Sequence, residues 1–279
     1  MTLRAWLQAA YQEFKALGFT TPRAEAEIFA SQVLDFPRAK LIAHEEQELS
    51  PEQAERLSAG LVRRITGEPL AYVVGFKHFF KSEFEVGPGV LIPRPETELV
   101  VELALELREK LPDACRIADF GAGSGCIGLS LILECPRAEL VLVENSPEAI
   151  KYLVRNLKKL KVENRAAVRD VAVESLNTRE FHLVVANPPY IADKDPDVDP
   201  HVRGFEPGSA LFSDENGLGA IRRWLKVGSE VLLSGGFLIM EIGAGQATDL
   251  RTQQVEGLAF VSVHQDLAGH DRVLIWRKS

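Results

Sequence analysis

The sequence predicts a small helical domain followed by an α/β domain. The α/β sheet is expected to be mostly parallel, with helices on both faces and an antiparallel hairpin at the end. Three observations predict this. No strand pattern interrupts residues 1–68; from residue 115 onward short apolar runs alternate with helical periodicity; a glycine-rich turn joins the first such run to the first such helix.

In the first segment Leu3, Trp6, Leu7, Ala10, Phe14 and Leu17 recur at helical spacing behind Thr2, an N-cap residue. Ile28, Phe29, Val33 and Leu34 mark a second helix that closes before Pro37, and Leu41 and Ile42 mark a third. Ser50, Pro51 and Gln53 form a capping-box signature, after which Leu57, Leu61 and Ile65 share one face and Gly67 stops the helix. Residues 1–68 therefore read as a helical bundle.

In residues 69–94, "AYVVGFKHFF" and "SEFEVG" read as a β-hairpin and linker leading into "PGVLIPRP". In residues 95–279, Pro95 opens the helix "ETELVVELALELREKL". Then "CRIADF", "AELVLVE", "RAAVRD" and "FHLVVA" read as strands, separated by "GSGCIGLSLILE", the capped "SPEAIKYLVRNLKKL" and an irregular stretch. Residues 215–233 read as helix, "GGFLIMEIG" as a fifth strand, and "LAFVSVHQ" with "DRVLIWRK" as the closing hairpin. Such alternation implies parallel strands, and such sheets bind ligands at their carboxyl ends.

Composition narrows the class. A chain of 279 residues, 46% apolar and 26% charged, is ordinary for a globular protein. Its net charge of −8 weighs against a nucleic-acid partner. Cys115, Cys126 and Cys135 form no C-x-x-C pair, so buried free thiols are expected rather than disulfides. The six histidines show no metal-ligand spacing, and no metal is expected. No apolar run approaches the ~20 residues of a membrane span, and the first residues lack a signal-peptide core. No membrane partner and a cytoplasmic location are expected.

Two motifs carry chemistry. In "ADFGAGSGCIG" the glycines remove Cβ atoms from a tight strand-to-helix turn, letting backbone approach a ligand where a helix start presents free N–H groups. Gly123, Gly125 and Gly128 satisfy the dinucleotide pattern G-x-G-x-x-G. Asp119 to Gly125 also read D-x-G-x-G-x-G, similar to the S-adenosylmethionine loop of Rossmann-like methyltransferases. There Asp119 suits a methionine ammonium, whereas it repels a diphosphate. Glu144, ending the second strand, suits ribose hydroxyls in either case. Asp170, ending the third, is placed either to accept from an adenine amine or to sit in a solvated turn.

The second motif is "NPPY" after the fourth strand. Proline fixes φ and donates no hydrogen bond, so the Pro188 carbonyl is held with no local competitor. The Asn187 side-chain oxygen is a second acceptor, and Tyr190 offers a ring for packing. Two fixed acceptors suit a planar –NH₂ group. An amide nitrogen is a poor nucleophile, because its lone pair is delocalised. Accepting both N–H bonds orients it and stabilises positive charge as it develops. Asn-Pro-Pro-Tyr resembles the motif of amino-methyltransferases acting on glutamine amides, adenine N6 and guanine N2.

The segments "VLIPRPETELV", "ADFGAGSG", "VVANPPYI", "FEPGSAL", "GGFLIMEIGAGQ" and "DLAGHDRVLI" together resemble the peptide chain release factor N5-glutamine methyltransferases, over nearly the whole chain. The resemblance implies a Rossmann-like class I methyltransferase fold with a mostly parallel seven-stranded sheet. It implies methyl transfer from S-adenosylmethionine to the glutamine of the Gly-Gly-Gln loop of release factors, with the N-terminal domain gripping that protein partner. It implies Gly121, Ala122, Gly123, Ser124 and Gly125 as cofactor loop, and Glu144, Asp170, Val171 and Asn187 as further cofactor contacts. It implies Asn187, Pro188, Pro189 and Tyr190 around the glutamine, with Asn187, Pro188 and Tyr190 catalytic. Glu144 stands where the family commonly has Asp, and Val171 where many members have an aromatic residue. Arg94 and Glu96 are expected to pair, and Arg203 with Glu206 to shape a lid. The rival readings are a nucleic-acid amino-methyltransferase and a non-catalytic release-factor-binding module. No direct nucleic-acid contact is expected.

Overall fold

Thr2 does cap the first helix: its hydroxyl accepts the Ala5 N–H at 3.2 Å, opening α1 (Leu3–Ala16). The computed structural model describes residues 1–279. It continues with α2 (Pro22–Leu34), α3 (Arg38–Ala43) and α4 (Pro51–Ile65), the last opened by the full capping box of Ser50 and Gln53. Trp6, Phe14, Phe29 and Leu57 bury the shared apolar faces of this unit, and Trp6 stacks on Phe29 with ring centroids 5.6 Å apart.

One boundary moves. The run after Pro69 is a short helix, α5 (Leu70–Val74), and not the start of a hairpin. Gly75 ends it at φ +89°, a conformation that favours glycine. Leu70, Val73 and Val74 pack on the helical core, so tertiary burial overrides the strand preference of the valines. The first compact unit is accordingly Met1–Gly75, beyond the expected break at residue 68.

The second unit, Phe76–Ser279, opens with the hairpin β1 (Phe76–Phe79) and β2 (Ser82–Glu85). A 3-10 turn at Pro95–Thr97 precedes α6 (Glu98–Arg108). The alternating region comes next: β3 (Arg116–Phe120), α7 (Cys126–Glu134), β4 (Glu139–Glu144), α8 (Pro147–Leu160), β5 (Ala166–Asp170) and β6 (Phe181–Ala186). The irregular stretch holds β7 (Ile191–Ala192), α9 (Pro200–Phe205), α10 (Gly208–Leu211) and β8 (Phe212–Ser213). Then come α11 (Gly219–Val231), β9 (Leu232–Glu241), α12 (Ala247–Thr252), β10 (Leu258–Gln265) and β11 (Asp271–Lys278).

Seven strands form one sheet in the order β10-β11-β9-β6-β3-β4-β5. β5, β4, β3, β6 and β9 run parallel; β11 is antiparallel to β9, and β10 to β11. The chain leaves β3 toward β4 and β5, then returns to β6 on the other side. That reversal makes the carboxyl ends of β3 and β6 the topological switch point.

Strand periodicity divides the core. Ile117, Leu183, Val185, Phe237 and Ile239 face α6, α7 and α8. Ala118, Phe120, Val184, Leu238 and Met240 face α11 and α12. With period 2, Asp119, Asn187 and Glu241 fall on the α6–α7 side at the carboxyl edge.

Asn156 of α8, fully buried, ties the hairpin to the glycine turn. Its Oδ1 accepts the Glu85 N–H at 2.7 Å, and its Nδ2 donates to the Glu85 carbonyl at 3.0 Å and the Ser124 carbonyl at 2.9 Å. Replacing it with leucine strands three backbone groups. Asn156→Leu should lower the unfolding free energy by about 2–5 kcal/mol, at about 1–3 kcal/mol per unsatisfied buried group with partial relaxation. Urea unfolding checks this.

Candidate active site

The site is built where the chain leaves the carboxyl ends of β3, β6 and β9. The pairing of these strands runs out to Phe120 beside Ala186 and, on the far side, Ala186 beside Met240. One residue further stand Gly121, Asn187 and Glu241, on three adjacent strands. The register of the sheet, not the loops, puts the two sequence motifs together.

The three loop glycines do different jobs. All have positive φ: +65° at Gly121, +56° at Gly123 and +83° at Gly125. A Cβ on Gly121 would stand 2.4 Å from the Trp224 ring, and one on Gly125 would stand 2.6 Å from Leu153. A Cβ on Gly123 meets nothing closer than Val90 at 3.8 Å. Gly121 and Gly125 therefore serve packing, and Gly123 faces open space.

The free N–H groups expected here are largely engaged within the protein. Ala122 donates to the Val143 carbonyl and Gly125 to the Ala122 carbonyl. Gly123 donates to Glu144 Oε2 at 2.8 Å, and Gly128 to Asp119 Oδ2 at 2.8 Å. Glu144 Oε1 also accepts from Asn145 at 2.9 Å and Ser146 at 2.8 Å. An ionised carboxylate has about four acceptor positions, so Glu144 keeps about one.

Asp119 is only 1% exposed, and its Oδ1 is buried without a partner. Burial is the main force pushing its carboxyl up to about 7; the Gly128 N–H opposes this and the nearby Glu144 charge adds to it. Cys126, in the first turn of α7, is pushed up to about 12 chiefly by burial, which makes it an inert thiol.

The chamber in front of the loop is lined by Val90, Leu91, Gly123, Glu144, Asn187 and Pro189, among others. A second chamber, which shares Gly121, Glu144 and Trp224 with the first, is bordered by Val171, Asp214 and Arg223. Asp170 is exposed at the end of β5 and borders neither. Pro188 is buried, and its carbonyl accepts no backbone hydrogen bond.

Three residues that sequence reasoning did not single out hold the NPPY segment. Asn187 Nδ2 donates to Thr97 Oγ1 at 3.2 Å, which leaves the Asn187 oxygen free. The Tyr190 hydroxyl donates to Glu241 Oε1 at 3.0 Å, so it is turned inward rather than offered to the chamber. Burial, with the Glu241 charge second, pushes the Tyr190 phenol well above its ordinary range. Gln246 adds a backbone clasp, donating from Nε2 to the Tyr190 carbonyl at 2.9 Å. An acidic residue inside the apolar run "FLIMEIG" was the available sequence signal for Glu241.

The expected Arg94–Glu96 pair does not form. Arg94 pairs with Glu206, whose other oxygen accepts the Ile92 N–H at 3.0 Å. Arg203 instead donates to the carbonyls of Asp193 and Asp195, both at 3.1 Å. Glu206 is thus an anchor joining the irregular stretch to residues 92–94. Glu206 is 5% exposed, and a cation and a backbone donor together offset the burial of its carboxylate.

A family profile described as "PrmC N-terminal domain" matches residues 5–75, and one described as "Methyltransferase small domain" matches residues 99–205. A release factor glutamine methyltransferase of Coxiella burnetii is 38% identical over 261 residues, covering 92% of this chain and 92% of that protein. One of Escherichia coli K12 is 34% identical over 278 residues, covering 99% of each. Among solved structures, the hMettl16 catalytic domain in complex with MAT2A 3′UTR hairpin 6 aligns with a TM-score of 0.54 at 15% identity. It covers 82% of this chain and 82% of that one, and the likeness concerns fold alone.

A raised folded-state pKa means that the Asp119 carboxyl favours folding below its ordinary value of 3.8, and that this contribution is lost as pH rises through about 7. Asp119→Asn keeps the acceptor for Gly128 and removes the charge. The ligand-free variant should gain in melting temperature relative to the parent protein as pH rises from about 4 to about 7. Calorimetry across that range checks it; a constant difference would contradict the burial argument.

Proposed function

This chain belongs to the release factor glutamine methyltransferase family, and from that premise we propose its reaction. It transfers a methyl group from S-adenosylmethionine to the side-chain amide nitrogen, N5, of the glutamine in the Gly-Gly-Gln loop of peptide chain release factors. The observation that carries this reading is the Asn187 side chain beside the glycine turn, its nitrogen committed to Thr97 and its oxygen left for a donor.

The residues present fit a methyl donor better than a dinucleotide. Asp119 Oδ1 is an orphaned buried acceptor at the base of the turn, suited to an ammonium group. Four of the N–H groups that could cradle a diphosphate, those of Ala122, Gly123, Gly125 and Gly128, are already spent inside the protein. Gly123 is bare toward the chamber, so backbone of residues 121–125 can approach the ligand. Glu144 has an acceptor position left for a ribose hydroxyl. Val171, which borders the second chamber, gives the adenine an apolar contact. Bound S-adenosylmethionine supplies the electrophilic methyl group.

The protein's own part is geometric and electrostatic. The Asn187 oxygen and the Pro188 carbonyl accept the two N–H bonds of the substrate amide. That aims the nitrogen lone pair and stabilises the positive charge that grows on nitrogen during transfer. The alkylated nitrogen is more acidic and releases a proton, so no strong base is required. Pro189 lines the chamber beside Asn187. The helical unit Met1–Gly75 is assigned to recognition of the release factor body.

Asn187→Ala should cut methyl transfer by about a hundredfold or more, while S-adenosylhomocysteine affinity stays within about tenfold. Labelled methyl donor with purified release factor measures the first and calorimetry the second. Label on duplex DNA, or on a release factor whose loop glutamine is replaced by alanine, would contradict the substrate assignment.

A further inference from the structure

Proline fixes its own φ, so Pro188 and Pro189 leave the Asn-Pro-Pro-Tyr backbone few free torsions. Neither proline has an N–H with which to tie that backbone down. The course of the segment therefore depends on how the chain is held at its two ends. β6 holds the first end, since Ala186 is paired on both sides. The second end, at Tyr190, lies beyond the sheet and needs a hold of its own.

Gln246 provides it, from the turn that follows β9. Its Nε2 donates to the Tyr190 carbonyl at 2.9 Å, and its Oε1 accepts the Gly243 N–H at 2.8 Å. Both partners are backbone groups; a backbone N–H only donates and a carbonyl only accepts, so the two ends of this amide are assigned by its partners. Two glycines make room for the clasp. A Cβ on Gly217 would overlap the Tyr190 carbonyl oxygen and stand 3.0 Å from Gln246 Nε2. One on Gly243 would stand 3.1 Å from Gln246 Oε1 and 3.3 Å from Tyr190 Cδ2. Gly217 closes a turn in which Glu215, Asn216 and Gly217 all have positive φ, at +51°, +55° and +88°. Two of these residues are not glycine, and such conformations persist only where the surroundings enforce them, typically beside functional sites. Gln246 itself borders neither chamber.

We propose that Gln246 is a positioning residue for methyl transfer: by clasping the Tyr190 carbonyl it fixes the conformation of the Asn-Pro-Pro-Tyr backbone, and with it the groups that this segment presents to the substrate amide. This rests on the reading of the segment as the amide clamp. Gln246 touches no reacting atom. It acts through the chain, because two prolines in succession pass a displacement at Tyr190 on toward Pro188 instead of absorbing it in φ.

Two variants and one spectroscopic readout test it. Gln246→Met keeps the length of the side chain and removes both hydrogen bonds. Gln246→Glu keeps the shape; ionised, it sets an acceptor against the Tyr190 carbonyl, and protonated, it regains one donor and one acceptor. At about pH 8 both should lower kcat on release factor by about tenfold or more, with S-adenosylhomocysteine affinity within about threefold. As pH falls from about 8 to about 5.5, the kcat of Gln246→Glu relative to the parent protein should rise severalfold, while that of Gln246→Met stays flat. Arg94, Glu241 and Arg272, which act on Tyr190, and the buried Asp119 are common to all three proteins, so the ratio isolates residue 246. A role confined to packing would move melting temperature and give no such pH dependence. In the unaltered protein, the ¹⁵N-labelled side-chain protons of Gln246 should exchange slowly with solvent.

The proposal is overturned if those protons exchange freely, if folded Gln246→Met keeps kcat within about twofold, or if both variants give the same flat ratio across the pH range. The exchange measurement holds even if a variant fails to fold. Protected Gln246 protons in a protein that transfers no methyl to release factor would support the clasp and count against the substrate assignment instead.

Discussion

The parallel pairing of β3 with β6 is the constraint on which the rest of this molecule depends. The two strands are separated in sequence by three crossovers, yet they hydrogen-bond side by side at the centre of the sheet. Both faces of both strands are buried under helices. A slip of one residue would exchange those faces, sending Asp119 and Val185 to the α11 side and Phe120 to the α6 side. Register is therefore specified strongly, and with it the adjacency of Gly121 and Asn187. The cofactor turn and the amide clamp meet because a buried ladder leaves them no alternative.

Buried carboxylates then organise what the ladder leaves loose. Asp119 holds the first turn of α7 through Gly128, and Glu144 gathers three N–H groups from two turns. Glu206 joins residues 92–94 to the irregular stretch, and Glu241 holds Tyr190. Burying a carboxylate is costly unless donors meet it, so each acid is also a requirement that particular donors be present. In this acidic chain, several charges near the site are spent on internal order. That accounts for how a loop rich in glycine, flexible in isolation, becomes a defined surface.

Much of the architecture is legible in periodicity and caps. Ser50 and Gln53 box the start of α4, and Thr2 caps α1, because capping depends on residues within one turn of each other. The alternating runs from residue 115 onward form the expected sheet for the same local reason. The run after Pro69 reads as strand and folds as helix, because its valines favour strands locally while their burial against the helical core decides otherwise. Proximity in sequence offers Glu96 as the partner of Arg94, whereas the fold brings Glu206 to it from 112 residues away.

By itself the sequence determined most element types, the mostly parallel sheet and the functional groups its two motifs carry, since these depend on short-range spacing and on residue identity. Only the tertiary structure decided how those groups are committed. It spent several loop N–H groups internally, turned the Tyr190 hydroxyl inward onto Glu241, and set Thr97 beside the Asn187 nitrogen. Hydrogen-bond direction and burial depend on what distant segments bring into contact, and no period along the chain encodes that.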